Sequence, residues 1–253
     1  MISVIVCSRN EKQSALHQQS VANTIGHAYE YVRVDNSNTA FSLCSAYNTG
    51  VDRAQGDIVV FAHEDVFFLE PDWGGVLVRK FCDNPQIGLV GVAGSQYLLK
   101  QFPGWPAAGQ PFLKGKVLHE IDGRYLLSVF SHEKGDAEVV AVDGLFFAVR
   151  SELFNSIRFD SENFNGFHFY DLDICMQVRK SHSLIVTDDI LVKHQSRGSF
   201  DKTWKLFGDR FVQKYANELP AACVEGTPQP ENFNKFDSFD ITARIAQSPF
   251  AQA

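Results

Sequence analysis

Short unbroken apolar runs alternate with helical stripes along the first half of the chain. Residues 2–6, 29–35, 58–62 and 87–93 read as strands, because continuous apolar runs rich in β-branched residues suit strands buried on both faces. Asn10 is placed to cap a helix after the first run, with Gln13 three residues on as in a capping box. Leu43, Ala46, Tyr47 and Val51 form a second stripe at i, i+3, i+4 and i+8, and Gly56 lies past its end. Pro71 and Asp72 open a third helix with Trp73, Val76, Leu77 and Phe81 on one face. Strands separated by helices predict an α/β fold with a doubly wound, mostly parallel sheet.

The rhythm changes after Gly94. Residues 95–115, rich in Pro and Gly, read as a loop, and a loop of that length in a compact chain is usually functional. Residues 116–121, 125–132 and 138–150 read as strands of a small antiparallel region, and residues 170–181 as a helix. Two short strands, 183–187 and 190–194, follow. Ser199 is placed to cap a long helix with the stripe Phe200, Trp204, Phe207, Phe211 and Tyr215, which reads as core packing. The tail after Leu219 has no period and reads as extended chain.

Composition narrows the function classes. A chain of 253 residues with 45% hydrophobic content can bury a sizeable core. The net charge of −7, without a Lys/Arg cluster, argues against a nucleic-acid surface. The five cysteines are scattered, odd in number and without a C-x-x-C pair, which signals neither a zinc site nor a disulfide framework. Reduced thiols fit a cytoplasmic protein. The chain runs straight into a strand with no basic leader, so no signal peptide is expected. No apolar run reaches the roughly 18–20 residues of a membrane span, which leaves peripheral association at the inner face of a membrane open.

Four polar sets follow apolar strands or open helices. They are Ser8-Arg9-Asn10, Asp35-Asn36-Ser37, His63-Glu64-Asp65, and Asp171 with Asp173. An open α/β sheet binds its ligands at the carboxyl ends of its strands, where the first three sets would converge. An imidazole and two carboxylates in a row are costly there unless a ligand or cation uses them. Each set also has a plainer reading: Asp35 as an Asx-turn, Asp171 as acidic decoration of a helix N-terminus, His194 as a hydrogen-bonded structural histidine. Gly88, Gly91 and Gly94 are spaced G-x-x-G-x-x-G with no helix following, so a dinucleotide site is rejected.

Taken in order, these residues are specific. The chain resembles the nucleotide-sugar-dependent glycosyltransferases of the GT-A fold, in particular the family-2-like bacterial enzymes. The matching stretches are Val4-Ile5-Val6-Cys7-Ser8-Arg9, Val34-Asp35-Asn36-Ser37 and Ala46-Tyr47-Asn48-Thr49-Gly50, then Phe61-Ala62-His63-Glu64-Asp65, Val142-Asp143-Gly144 and Gly166-Phe167-His168-Phe169-Tyr170-Asp171-Leu172-Asp173. The resemblance implies one catalytic domain over residues 1–218, with a nucleotide-binding half at 1–94, an acceptor and catalytic half at 95–218, and an extension at 219–253. It implies transfer, with inversion, of a sugar from a UDP- or GDP-sugar to a hydroxyl of a glycan or lipid-linked acceptor.

The resemblance also assigns roles. Asp35 contacts the donor base or ribose, with Ser8 and Arg9 beside it. The D-x-D-like triplet holds Mn²⁺ or Mg²⁺ on the diphosphate. Asp65 and Glu64 are its carboxylate ligands, and His194 completes the metal shell. His63 binds the sugar or ribose in this reading. Asp143 and Gly144 line the sugar and acceptor pocket, with Trp105 placed to stack on a sugar. Asp171 is the catalytic base. The usual pair of aspartates reads His, Glu, Asp here, and that departure keeps a non-catalytic sugar-nucleotide-binding protein in view. A sugar-1-phosphate nucleotidyltransferase fits less well, because its Gly-rich loop is missing from residues 6–10.

Overall fold

The structure, a computed structural model, describes residues 1–196, 201–232 and 235–245. The first half contains β1 (Ile2–Ser8), α1 (Glu11–Thr24), β2 (Tyr29–Asp35), α2 (Leu43–Val51), β3 (Ile58–Ala62), β4 (Val66–Phe68) and α3 (Trp73–Asp83). Then come β5 (Ile87–Gly91), β6 (Ala93–Ser95), β7 (Tyr97–Leu98), a 3-10 turn at Trp105–Ala108, β8 (Leu113–Ile121) and β9 (Arg124–Val129). The chain continues through β10 (Ala137–Val139), β11 (Ala141–Val142), β12 (Phe146–Arg150), α4 (Tyr170–Val178), β13 (Ser183–Val186), β14 (Val192–His194) and α5 (Lys202–Lys214). It closes on β15 (Ala221–Ala222), β16 (Asp237–Asp240) and the short α6 (Thr242–Ile245).

The central sheet has the order β10-β13-β5-β12-β3-β1-β2. β1 pairs in parallel with β2 and β3, and β13 in parallel with β5. β12 lies antiparallel between β3 and β5, so the sheet is mixed. Its inner strands β1, β3, β5 and β12 are buried on both faces, whereas the edge strands β2 and β10 are largely half-buried. Ile5, Val59 and Phe61 join one core with Tyr47, Phe147 and Phe211. Val4, Val60 and Ala62 join the other with Trp73, Leu77 and Phe146. A second sheet, β11-β6-β8-β14-β4, packs against this second core, and β9 and β16 extend it from β8.

Two apolar runs change sheets midway, which periodicity alone does not reveal. Residues 87–93 divide at Val92 into β5 of the central sheet and β6 of the second. Residues 138–150 divide into β10, β11 and β12, with Asp143 and Gly144 at the last corner. Residues 95–115 hold β7, the 3-10 turn and the start of β8 rather than one loop. The tail is also more ordered than its composition suggests: β15 pairs with β7, and β16 with β9.

Asn10 caps α1, accepting from the backbone N–H groups of Lys12 and Gln13. The Gln13 side chain does not close a capping box; it donates to the Glu64 carbonyl at 3.3 Å and to Gln195 Oε1 at 3.1 Å. Asp201 caps α5 by accepting from the Trp204 N–H at 2.8 Å; Ser199 and Phe200 lie outside the described residues. Among the described residues no helix is long and apolar enough to cross a membrane.

Candidate functional site

The turn His63-Glu64-Asp65 carries the chain from β3 in the central sheet to β4 in the second. The His63 N–H donates to the Leu145 carbonyl at 3.0 Å, and the Val66 N–H to the His63 carbonyl at 3.2 Å. β4 pairs antiparallel with β14, with Val66 opposite His194. That pairing sets His194 beside Asp65, with Nε2 3.5 Å from Oδ1. His63, Asp65 and His194 thus form a cluster whose ligand-competent atoms all lie within 4.8 Å of one another.

Glu64 is not in this cluster. Its carboxylate turns back to the end of β1, accepting from Ser8 Oγ at 2.6 Å and from the backbone N–H groups of Arg9 and Asn10 at 3.3 and 3.4 Å. The sequence expectation paired Glu64 with Asp65 and gave His63 to the sugar. The structure groups His63 rather than Glu64 with Asp65 and His194, while all three residues of the turn line the same cavity. Glu64 instead ties the end of β1 to the end of β3.

The cluster suits a cation. Burial and the neighbouring His194 push the His63 imidazole well below its usual range, so it is neutral at pH 7 with a lone pair to give. Burial raises the Asp65 carboxyl, but the hydrogen bond and charge of His194 outweigh it and hold the group ionised. Two imidazoles and a carboxylate suit Mn²⁺ and its transition-metal neighbours better than Mg²⁺, which favours an all-oxygen shell.

Two cavities flank the cluster, and both are lined by His63, Phe167 and Ser196. The first, about 630 Å³, extends over the ends of β1 and β3 and the start of α2. Arg9, Asn36, Glu64, Asp65 and Tyr47 are among its walls. The Tyr47 hydroxyl is buried there without a hydrogen-bond partner among the described residues, a state that costs free energy unless a ligand completes it. Asp35 stands at the end of β2, opposite Ser8 in the β1–β2 register. It accepts from the Ser37 N–H at 3.1 Å in an Asx-turn and pairs with Arg33 at 3.3 Å. Asp35 does not line the first cavity; its neighbour Asn36 does. Asn36 is buried and fixes the next turn by bonding both backbone groups of Phe41.

The second cavity, about 450 Å³, lies against Asp143, Gly144 and the start of α4. Phe169 precedes α4 with φ +67 and no side-chain cap, so the helix N-terminus is presented by a left-handed backbone turn that a bulky residue rarely adopts. Asp171 follows in the first turn. Its Oδ2 accepts the Gly144 N–H at 3.0 Å. Burial, followed by the charge of Asp143, pushes the Asp171 carboxyl up to about 7. Both oxygens of Asp143 are held, one by the Trp105 indole N–H at 3.0 Å and one by the Leu145 N–H at 2.9 Å.

Tyr170 links the two parts of the site. Its hydroxyl lies 2.6 Å from His63 Nε2, across 107 positions of sequence. Burial raises its pKa well above the usual phenol value, so the hydroxyl stays protonated. No sequence spacing pointed to this contact. Asp173, by contrast, faces away: it is fully buried and bonded by Lys214 Nζ at 2.6 Å and the Tyr215 hydroxyl at 2.7 Å, which anchor α4 to α5.

Comparisons with known proteins agree with this architecture. Residues 3–218 match the family described as "Glycosyltransferase like family". The curated protein "ATP synthase subunits region ORF 6" of Fuscovulum blasticum is 23% identical over an alignment of 210 residues that covers 78% of this chain and 76% of that protein. Among solved structures, the mannosyltransferase PcManGT from Pyrobaculum calidifontis, in complex with GDP-Man and Mn²⁺, matches with a TM-score of 0.55 at 14% identity. The match covers 91% of this chain and 66% of that one. GalNAc-T7 with UDP, GalNAc and Mn²⁺ matches with a TM-score of 0.59 at 13% identity, over 84% of this chain and 47% of that one. The chain therefore spans just under two thirds of the first structure and about half of the second. At these identities the likeness is one of fold.

Proposed function

The chain belongs to the glycosyltransferase-like family over residues 3–218, and from that premise we propose that it moves a hexosyl or hexosaminyl group from a UDP- or GDP-sugar to an acceptor hydroxyl, with inversion. The observation that carries this reading is the His63–Asp65–His194 cluster between two cavities, with Asp171 on the wall of the second. The first cavity takes the nucleoside diphosphate. Arg9 and the Tyr47 hydroxyl are polar groups there for a donor to use, and Ser8 acts indirectly, through Glu64. Asp35 sits at its margin and contacts the nucleoside if the donor reaches past Asn36.

His63, Asp65 and His194 are the residues that would hold a divalent cation, Mn²⁺ in preference to Mg²⁺. Such a cation supplies positive charge to the diphosphate as it departs. Asp171 holds the proton-accepting position for the acceptor hydroxyl. In one displacement the acceptor oxygen bonds to the anomeric carbon, and the bond from that carbon to the diphosphate breaks. The bonding pair leaves with the diphosphate, and the hydroxyl proton passes to Asp171. A carboxyl near pH 7 in affinity is well matched to that transfer. Asp143, held by the Trp105 indole N–H, sits beside Asp171, whose Oδ2 accepts the Gly144 N–H. The free thiols fit a reducing, cytoplasmic setting, with the acceptor a glycan or a lipid-linked sugar of polysaccharide assembly.

The test is a thermal-shift screen of nucleotides and nucleotide sugars with and without Mn²⁺, followed by donor hydrolysis. Metal-dependent stabilisation by UDP or GDP is expected, as is its loss in Asp65→Ala. Asp171→Asn should keep donor binding and lose transfer. A screen in which no nucleotide shifts the melting temperature, with or without metal, overturns the reading.

A further inference from the structure

Tyr170 stands where the cation cluster meets the second cavity, and its ring is fixed by packing. It is 3% exposed and lies edge-on to Tyr47, with ring centroids 5.6 Å apart. The hydroxyl reaches into a space kept open by Gly144, where any Cβ would collide with it. A phenylalanine would fill the same ring position, so packing does not account for the hydroxyl. A buried hydroxyl costs free energy unless it is hydrogen-bonded. Its partner among the described residues is His63 Nε2, at 2.6 Å.

That bond constrains which edge of His63 meets a cation. A neutral imidazole has one N–H and one lone pair, and each ring nitrogen has a single in-plane direction for a partner. At Nε2 the Tyr170 oxygen takes that direction. Nδ1 is the nitrogen left for the cluster with Asp65 and His194. For Nδ1 to offer a lone pair, the ring proton must sit on Nε2.

Resting on the cation reading above, we propose that Tyr170 is a positioning residue for the metal: its hydroxyl oxygen accepts the His63 Nε2–H, and so holds the imidazole in the tautomer and orientation that present Nδ1 to the cation. A histidine ligand is commonly fixed through its other nitrogen by a carboxylate, a backbone carbonyl or water. Here a phenol takes that place, and it brings the first residue of α4, the neighbour of Asp171, onto the cluster. The phenol orients the ring without adding a third negative group to it. The proton absent from Nδ1 is the one carried on Nε2, so the tautomer choice releases none. The phenol proton then turns from His63 to the second cavity, which Tyr170 also lines.

The test separates ring orientation from packing. Zn²⁺, a closed-shell ion that histidine and carboxylate ligands bind, is added to protein labelled with heavy nitrogen in its histidines. Nitrogen NMR then reports which nitrogen of His63 is protonated and which is coordinated, with His63→Gln to assign the signals. A protonated Nε2 and a metal-shifted Nδ1 are expected in the wild type. Tyr170→Phe keeps the ring, and should keep the melting temperature and lose the single tautomer. It should bind Mn²⁺ alone more weakly by about ten- to hundredfold, the usual cost of losing such a support. Coordination of Zn²⁺ through Nε2 overturns the proposal, and the wild-type spectrum decides this even where the variant fails to fold. Unchanged Mn²⁺ affinity in a folded Tyr170→Phe also overturns it, and leaves the cation reading standing. A wild type that binds neither ion overturns both, while nucleotide binding without metal tests the donor cavity by itself.

Discussion

Tyr47 and Asp171 both keep a polar group in a place that costs the fold something, and each cost can be measured. The Tyr47 hydroxyl is buried and unpartnered among the described residues. Removing such a group relieves about 1–3 kcal/mol of desolvation penalty at most, so Tyr47→Phe should melt at or above the wild-type temperature. If the hydroxyl serves a donor, the same variant should bind nucleoside diphosphate more weakly by calorimetry. Asp171 has its folded-state pKa raised to about 7 by burial and Asp143. Below the unfolded carboxyl pKa of about 4 both states are protonated and nothing is lost. As pH rises from there to about 7 the unfolded state ionises first, and stability falls. Asp171→Asn should therefore match wild type near pH 4, gain in melting temperature through pH 7, and hold that gain above it. With Asp171 in the proposed role of base, the same pKa places an acidic limb near pH 7 on the rate of transfer, since a base acts only when ionised. The residue types here were legible in the sequence; their directions were not. Glu64 and Asp65 are adjacent, yet one faces Ser8 and the other His194, and only the turn geometry decides which. Tyr170 next to Asp171 carried no signal at all, because its partner His63 comes from another element.

At the scale of elements, α4 is held at its first turn by two neighbours. Its N-terminus packs against the β11–β12 corner, where a Cβ on Gly144 would collide with the Tyr170 hydroxyl and press on Asp171 Cβ. Gly144→Ala should displace the start of α4, cutting turnover by tenfold or more while nucleotide affinity changes little, since no wall of the first cavity includes Gly144. Its first turn is also tied to α5 through Asp173, which Lys214 and Tyr215 hold in the core. Breaking a buried pair by removing one partner costs about 3–5 kcal/mol. Lys214 keeps 29% exposure, so Lys214→Met should cost less, about 2–3 kcal/mol in urea unfolding. These supports explain why strands and helices were readable while corners were not. The runs 58–62 and 29–35 match β3 and β2 because each stays in one sheet. The run 138–150 was read as one strand because all its apolar residues are buried, although three strands in two sheets share them.

The whole molecule places its site along the seam of two sheets. β3 leaves the central sheet and β4 enters the second within the three residues that carry His63 and Asp65, and β14 brings His194 to the same seam from far along the chain. A ligand bound there touches both sheets and both halves of the sequence, so it should stabilise the fold as a unit by mass action. At a ligand concentration a hundred times the dissociation constant, the gain is about 2.7 kcal/mol. For a chain of this length each kcal/mol moves the melting temperature by about 2–4 °C. UDP or GDP with Mn²⁺ should therefore raise it by about 5–10 °C. Two controls locate the effect. His194→Ala removes a ligand supplied by the second sheet, and should abolish the manganese-dependent part of the shift while leaving any metal-free nucleotide shift in place. Glu64→Gln changes a carboxylate outside the cluster, and should leave the manganese-dependent part intact. If Glu64→Gln instead removes the manganese effect and His194→Ala does not, the cation is held on the β1 side of the turn, and the cluster at the seam is a structural contact between the sheets.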